Sequence, residues 1–491
     1  MNSFNARIGE SSRHATSRTH AGDVWRWNWL RLGVSFLVLV LHLTASHADY
    51  GALERLAAGV CGITVLNVIW RYMSEKHVRG LPVLEWVVLQ LYVFFAMPVF
   101  FEGESNMATT FQALSRSGAI LEALIAANLF VFCLLAGWHL PRPKRRKASV
   151  APVRHVPQLA VLVYGAVSLV VSFLRARYEY AWGTEWFMSV VYFLFSPTVA
   201  QLLLLFDFHN KQKTRSASVV VVFTSVMVVV GLFTGRLDYA LPPLITLAIG
   251  LFVSQQRVPK TLIAASFAML LVFNPVKLVY RELTGYRTAE FGTLTVGEMV
   301  DAWKESIQQV WAGNNAQQQQ ALDTTASRLN YLSVNATVID SVPERIPYAL
   351  GEPWAVVPVS LVPRVLWPDK PNLTEISTDR FNVLFGMTTW SIAATSTAAY
   401  PGVADGFWNL GWLGVAIAGF ISGLFWKMLA ITWTPSGRLR YSLVFLLVVT
   451  TRATAATPSL FVGVAQVAFA CFIVVKTLEL LGEIGSDGRT S

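Results

Sequence analysis

Residues that aqueous catalysis commonly depends on are scarce in this 491-residue chain. Only three cysteines occur, Cys61, Cys133 and Cys471, each within an apolar run and far from the others. That excludes a disulfide framework and any closely spaced thiol pair for metal or redox chemistry. All eight histidines (14, 20, 42, 47, 77, 139, 155 and 209) precede the longest polar stretch, about Val276 to Asp405. No Walker loop, GxSxG or HExxH occurs, nor any Asp-x-Asp, so the usual carboxylate clamp for a nucleotide-bound metal is missing. Charge is also scarce, at 14% of residues, whereas 54% are hydrophobic and the mean hydropathy is +0.49. A soluble globule is thereby excluded. The net charge of +10 does not indicate nucleic acid, because most cations lie in short connections between apolar runs.

What is present is a series of runs of about the length a bilayer requires. They fall at about 32–44, 56–73, 81–101, 118–139, 157–174, 186–206, 216–233, 238–253, 260–276, 407–429, 440–452 and 458–475. The expected fold is an all-α transmembrane bundle of about twelve spans with one large insertion. It divides into a polar tail (1–31), spans one to nine (32–275), the insertion (276–405), spans ten to twelve (406–476) and a second tail (477–491). Ser46-His47-Ala48 resembles a signal-peptidase site, but the basic region ahead of the first run is long for a signal, which favours an uncleaved span.

Cations sort the connections into two classes. Arg71, Lys76 and Arg79, then the Arg142–Arg154 cluster, Lys211–Arg215, Arg257 with Lys260, and Arg438 with Arg440 occupy alternate connections. The intervening ones carry few: Arg55, Arg116, Arg175, Arg177, Arg236 and Arg452. The positive-inside rule then places both termini in the cytoplasm and the insertion outside, as in a multi-pass bacterial inner-membrane protein.

The insertion holds nine Lys/Arg against thirteen Asp/Glu, so it is not a generally basic surface. Prolines at 358, 363, 368 and 371 break helices and fix φ, which makes the stretch around them a shaped loop. That loop carries Arg364, Asp369 and Lys370, with Trp354, Trp367 and Trp390 nearby. Stiff, cationic and aromatic, it suits a phosphorylated, lipid-borne sugar; a linker held at the bilayer by tryptophans is the plainer alternative. Leu294, Met299, Trp303, Ile307 and Val310 recur at helical spacing opposite Glu298, Asp301 and Lys304, predicting an amphipathic helix in the interface plane or over a cavity. A second helix is expected over Ala321–Ser341, with Leu322, Leu329, Leu332, Val338 and Ile339 on one side. Asn335-Ala-Thr and Asn372-Leu-Thr match the short glycosylation sequon.

Outside chemistry is thus left to arginine and carboxylate. Arg236, in Thr234-Gly-Arg-Leu-Asp238, stands at the mouth of a span, where a guanidinium is costly unless it is paired or meets water. It either pairs with Asp238 or hooks a phosphate at the hydrocarbon boundary, since its planar fork suits phosphate oxygens. Arg281, Arg287, Arg328, Arg345, Arg364 and Arg380 are the other outside arginines, and a subset converging on one cavity is the expectation.

From about Gly231 to Leu429 the chain resembles bacterial O-antigen polymerases, the Wzy-type oligosaccharide repeat-unit polymerases. The resemblance rests on Gly235-Arg236, on Ser327-Arg-Leu-Asn-Tyr-Leu332 leading to Pro343 and Gly351, and on Pro363-Arg-Val-Leu-Trp-Pro-Asp-Lys-Pro371. Trp408-Asn-Leu-Gly-Trp-Leu-Gly414 completes it. It implies a glycosyltransferase that joins units carried on undecaprenyl pyrophosphate outside the inner membrane, in O-antigen or exopolysaccharide synthesis. Both donor and acceptor are lipid-linked, and a flippase and a chain-length regulator are the implied partners. No cofactor is expected, because the donor brings its own leaving group. By the same resemblance Arg236, Arg328 and Arg364 face the pyrophosphate, and Lys370, Arg281, Arg287, Arg380 and Trp367 assist in substrate binding. The base would be a carboxylate: Asp369, Glu352 or Glu282. A ligase and a flippase are the alternatives. Ligases pair arginines with an outside histidine that this insertion lacks, and transporters usually show two similar halves.

Reporter fusions after residues 148 and 315 test the topology. The first is expected to be active as a cytoplasmic reporter and the second as an extracytoplasmic one; equal behaviour at both sites would refute the assignment.

Overall fold

The computed structural model describes residues 21–46, 49–74, 83–100, 118–141, 158–178, 214–235, 260–285, 293–312, 330–360, 375–390 and 400–432. Scattered residues among 191–204, 240–251 and 460–477, with Phe291, Val362 and Trp367, are also described. Among these residues the secondary structure is helical and no strand occurs. Four described helices are long and apolar enough to cross a membrane: Asn28–Ala45, Ala52–Ser74, Ala119–His139 and Gly402–Met428. Val83–Phe95, Leu159–Arg175 and Ser218–Phe233 are shorter apolar helices.

Helices α1 (Ala21–Ala45) and α2 (Ala52–Ser74) form an antiparallel pair. Arg55 donates to the Leu43 carbonyl at the turn (3.1 Å), and Arg31 donates to Asn67 near the far end (2.6 Å). Helix α3 (Val83–Phe95) passes into a 3₁₀ turn at Met97–Phe100, where Pro98 removes a backbone donor. Helix α4 (Ala119–His139) crosses this group, and Asn128 Nδ2 donates to the Ala57 carbonyl at 2.9 Å.

The tightest contact joins α4 to α12 (Gly402–Thr432), the two running parallel. Gly419 lies on Phe130 and Gly423 on Leu134, while Gly137 faces Phe420 and Leu424. A Cβ at Gly419 would come within 2.5 Å of the Phe130 carbonyl oxygen, so the backbones approach as closely as small residues allow. Farther along, Lys427 donates to the Leu140 carbonyl at the ends of both helices.

A continuous span at 407–429 is not what forms. Leu410 (φ −145°, ψ 27°) and Gly411 (φ 59°, ψ −141°) leave helical geometry. Gly406 and Gly414 would be about 12 Å apart along an unbroken helix. Instead a Cβ at Gly406 would sit 2.8 Å from the Gly414 carbonyl oxygen. The first two turns of α12 are therefore folded back against the stretch that begins at Trp412. Gly411 permits this through its positive φ.

A second cluster gathers α5 (Gln158–Tyr178), α6 (Thr214–Phe233), α7 (Lys260–Leu283) and α8 (Val296–Ile307), which continues as a π-turn over Gln308–Ala312. The C-terminal ends of α5, α6 and α7 meet at one side. Arg177 of α5 donates to the Phe291 carbonyl (2.6 Å) and to that of Leu294. Arg281 of α7 donates from Nε to Gly235 O just past α6 (2.9 Å). Trp303 of α8 stacks on Tyr280 (4.7 Å, 22°) and donates to Leu232 O (2.9 Å).

The rest of the insertion forms α9 (Tyr331–Ser341), α10 (Glu352–Ser360), a π-turn at Glu375–Asp379 and α11 (Arg380–Leu384). Two expectations are corrected. Pro358 lies inside α10 rather than ending it, and the helix stops two residues later at Ser360. Helix α9 is not one-sided: every residue from Leu332 to Ser341 is buried, packed by α3, α4 and α12. Its first residue, Tyr331, stacks on Phe94 at the end of α3 (4.8 Å, 21°).

Gly423→Ala and Gly33→Ala are expected to act with opposite sign. Nothing lies within 4 Å of a Cβ at Gly33, so alanine there leaves stability unchanged or raises it by about 0.5–1 kcal/mol. At Gly423 the added methyl meets the Leu134 backbone, and overpacking costs about 1–3 kcal/mol. Thermal unfolding in detergent, with membrane abundance alongside, measures both.

Candidate functional site

The site grows from α9. Asn330 caps the helix by accepting from Ser333 N at 3.0 Å. Ser333 and Thr337 return their hydroxyls to the carbonyls of Asn330 and Ser333, each at 3.0 Å, so both are satisfied within the helix. Asp340 has no exposed side-chain surface and pairs with Arg345, whose side chain is 43% exposed. Arg345 also donates to Ser341 Oγ at 3.1 Å. A guanidinium has five N–H donors, so one held on this side by Asp340 and Ser341 keeps others for an anion on its open side. Asn335 is 1% exposed, and neither Nδ2 nor Oδ1 has a partner. That burial rules out a glycan at the first sequon, while Asn372 lies outside the described residues.

The folded-back start of α12 supplies the second group. Asp405 is fully buried and accepts from Trp354 Nε1 at 2.9 Å and Asn409 Nδ2 at 3.2 Å; Tyr400 OH lies 3.5 Å away. Burial and the Asp405 charge push the Tyr400 phenol well above its ordinary range, so it stays protonated and donates. Phe381 stacks on Tyr400 (3.9 Å, 15°) and meets Trp408 edge-on (5.5 Å). The helix break strands carbonyls, and the insertion satisfies them: Ala349 N donates to Trp408 O (2.9 Å) and Leu350 N to Asn409 O (3.2 Å). Gly351 N donates to Asn409 Oδ1 at 2.9 Å, from a turn in which Leu350 and Gly351 both have positive φ.

These bonds fix α10, and Arg380 at the head of α11 pairs with Glu352 at the head of α10. Both side chains remain partly exposed, at 39% and 55%.

The expected site residues divide into separate groups. Arg380 belongs with α10 and α11 through its pair with Glu352, and Trp367 is 40% exposed. Arg281 lies in the other cluster, against Gly235 and next in sequence to Arg236. Arg236, Arg287, Arg328, Arg364, Asp369 and Lys370 lie outside the described residues, as does Asp238. Arg345, Asp340, Asp405, Asn409 and Arg177 were not singled out from sequence as site residues. For Asp405 the available signal was a lone carboxylate next to an apolar run; for Arg177, a cation at the end of one. Among the described residues no group of His, Cys, Asp and Glu could hold a metal ion.

A family model described as Domain of unknown function (DUF8712) matches residues 125–434. The chain belongs to this family. The DUF8712 match begins within α4 and ends just beyond α12, so it takes in the insertion, the second cluster of contacts and the candidate site. It leaves α1–α3 outside. No curated protein and no solved structure matches the chain.

The Asp340–Arg345 pair predicts an asymmetric cycle. Arg345→Ala leaves a fully enclosed carboxylate without this partner, on the scale of about 3–5 kcal/mol for a stranded buried charge. Asp340→Ala leaves a half-exposed guanidinium that water can serve, costing about 1 kcal/mol. The double variant is expected to unfold at a higher temperature than Arg345→Ala alone.

Proposed function

We propose that this chain is a membrane glycosyltransferase that polymerises undecaprenyl-pyrophosphate-linked oligosaccharide units at the periplasmic face of the inner membrane. The product would be O-antigen or exopolysaccharide, made by a bundle of about twelve spans with both termini in the cytoplasm. The observation that supports this reading is the bracing of α10. The Glu352–Arg380 pair, with Asp405 and Asn409 behind α10, ties together the described residues on either side of the stretch in which the sequence sets Arg364, Asp369 and Lys370. Half-exposed Arg345 adds a cationic group suited to pyrophosphate.

In this reaction the acceptor hydroxyl oxygen bonds to the donor's anomeric carbon as the bond from that carbon to the pyrophosphate oxygen breaks. Arg364, Arg328 and Arg236 neutralise the charge growing on the leaving group, and a carboxylate takes the hydroxyl proton. Glu352 is occupied by Arg380, which leaves Asp369 and Glu282 as the candidate bases. A second reading has its own support. A helix broken at Leu410–Gly411 beside buried Asp405 is what a flippase for the same lipid-linked unit would use.

Surface polysaccharide from a deletion strain separates the two: a single-unit band is expected, whereas loss of every unit would identify the flippase. In the polymerase assay Arg364→Lys keeps charge and loses the two-pronged contact. It is expected to cost about tenfold to a hundredfold in rate and Arg364→Ala more, at normal membrane abundance. A fully active Arg364→Ala would remove that residue from the site.

A further inference from the structure

Helix α8 carries a buried face and, beside it, apolar residues that stay partly exposed. Met299, Ser306 and Val310 are buried, and Trp303 lies against Tyr280 and Phe273. Beside that face runs a second stripe, at Val296 (69% exposed), Ile307 (42%) and Trp311 (43%). The remaining face is polar. Asp301 and Lys304 pair there at 2.9 Å, and Glu298 is taken up by the capping box with Thr295. Those cap bonds lower the Glu298 carboxyl's pKa, so it stays ionised.

We propose that Val296–Ala312 is an interfacial helix, its Val296–Ile307–Trp311 stripe seated among zwitterionic lipid headgroups and the first carbons of the chains. Position is the first argument. The helix is bolted through Trp303 to Leu232 and Tyr280, and its approach is pinned by Arg177, all at the place where α5, α6 and α7 end together. Near those ends Val170 and Phe173 of α5, Val226 and Val229 of α6, and Leu283 of α7 are exposed. On apolar helices of a membrane bundle such residues face lipid, and the α8 stripe continues that surface at its rim. Charge is the second argument. Residues 296–312 hold one lysine against three acids, with no cationic face for anionic lipid to attract. Binding here rests on apolar and aromatic contact, which a zwitterionic bilayer supplies. Trp311 has the amphipathic ring that favours this depth.

Single cysteines at Ile307, Trp311 and Asp301, in a chain with Cys61, Cys133 and Cys471 replaced by alanine, can carry an environment-sensitive fluorophore. In phosphatidylcholine liposomes, labels at 307 and 311 are expected to emit to the blue of the label at 301. Lipids with a nitroxide high on the acyl chain should quench them several-fold more. The unaltered chain gives a second measurement: a photoreactive phosphatidylcholine is expected to label the 296–312 peptide. Equal quenching at all three sites, with no lipid adduct on that peptide, would overturn the proposal. Labels that are shielded yet unquenched by lipid would overturn it too, assigning the stripe to a second copy of the chain or another protein. An absolute need for phosphatidylglycerol would refute the zwitterionic assignment.

Discussion

The approach of α4 to α12 across Gly137, Gly419 and Gly423 is the constraint on which the rest of the first cluster depends. Between apolar helices in lipid there is no hydrophobic gain from association, so close backbone contact must supply the attraction. Because α12 is fixed in this way, its folded-back first turns stand at one end of α4 with Asp405 and Asn409 held inward. Helix α9 then packs by α3, α4 and α12, and α10 follows through Trp354 and Gly351.

Arginines in the insertion and at the helix ends are not interchangeable decorations of a phosphate site. Arg177 and Arg281 spend donors on backbone carbonyls left over where helices end, a structural use for a rigid fork of N–H groups. Arg345 and Arg380 are turned by carboxylates and keep exposed surface. The second pair is therefore better suited to meet an anion than the first.

Much of the helical framework was legible because bilayer length and apolar runs are signals summed over many residues. The runs at 56–73 and 118–139 match α2 and α4 closely, and the helical spacing from Leu294 to Val310 matches α8 and its continuation. What escaped were features decided by partners distant in sequence. Helix α9 reads as one-sided because its Ser, Asn, Thr and Asp look solvated. Its hydroxyls are instead satisfied by its own backbone, and Asp340 by Arg345. Glycines 411 and 414 were noted as part of a motif, but a glycine does not announce whether it makes a turn, a close contact or neither. The fold-back needed both uses, at Gly411 for φ and at Gly406 and Gly414 for space.

That fold-back also bears on how the chain is put into a membrane. Hydropathy alone offers Gly402–Met428 as one continuous span, yet the unbroken helix begins only at Trp412 and is long enough to cross without the earlier turns. The carbonyls of Trp408 and Asn409 cannot enter hydrocarbon until Ala349 and Leu350 are there to donate to them. Insertion of the span and docking of its first turns are thus separate events in biogenesis. The second depends on a segment that lies earlier in the chain, Gly351 being 58 residues before Asn409.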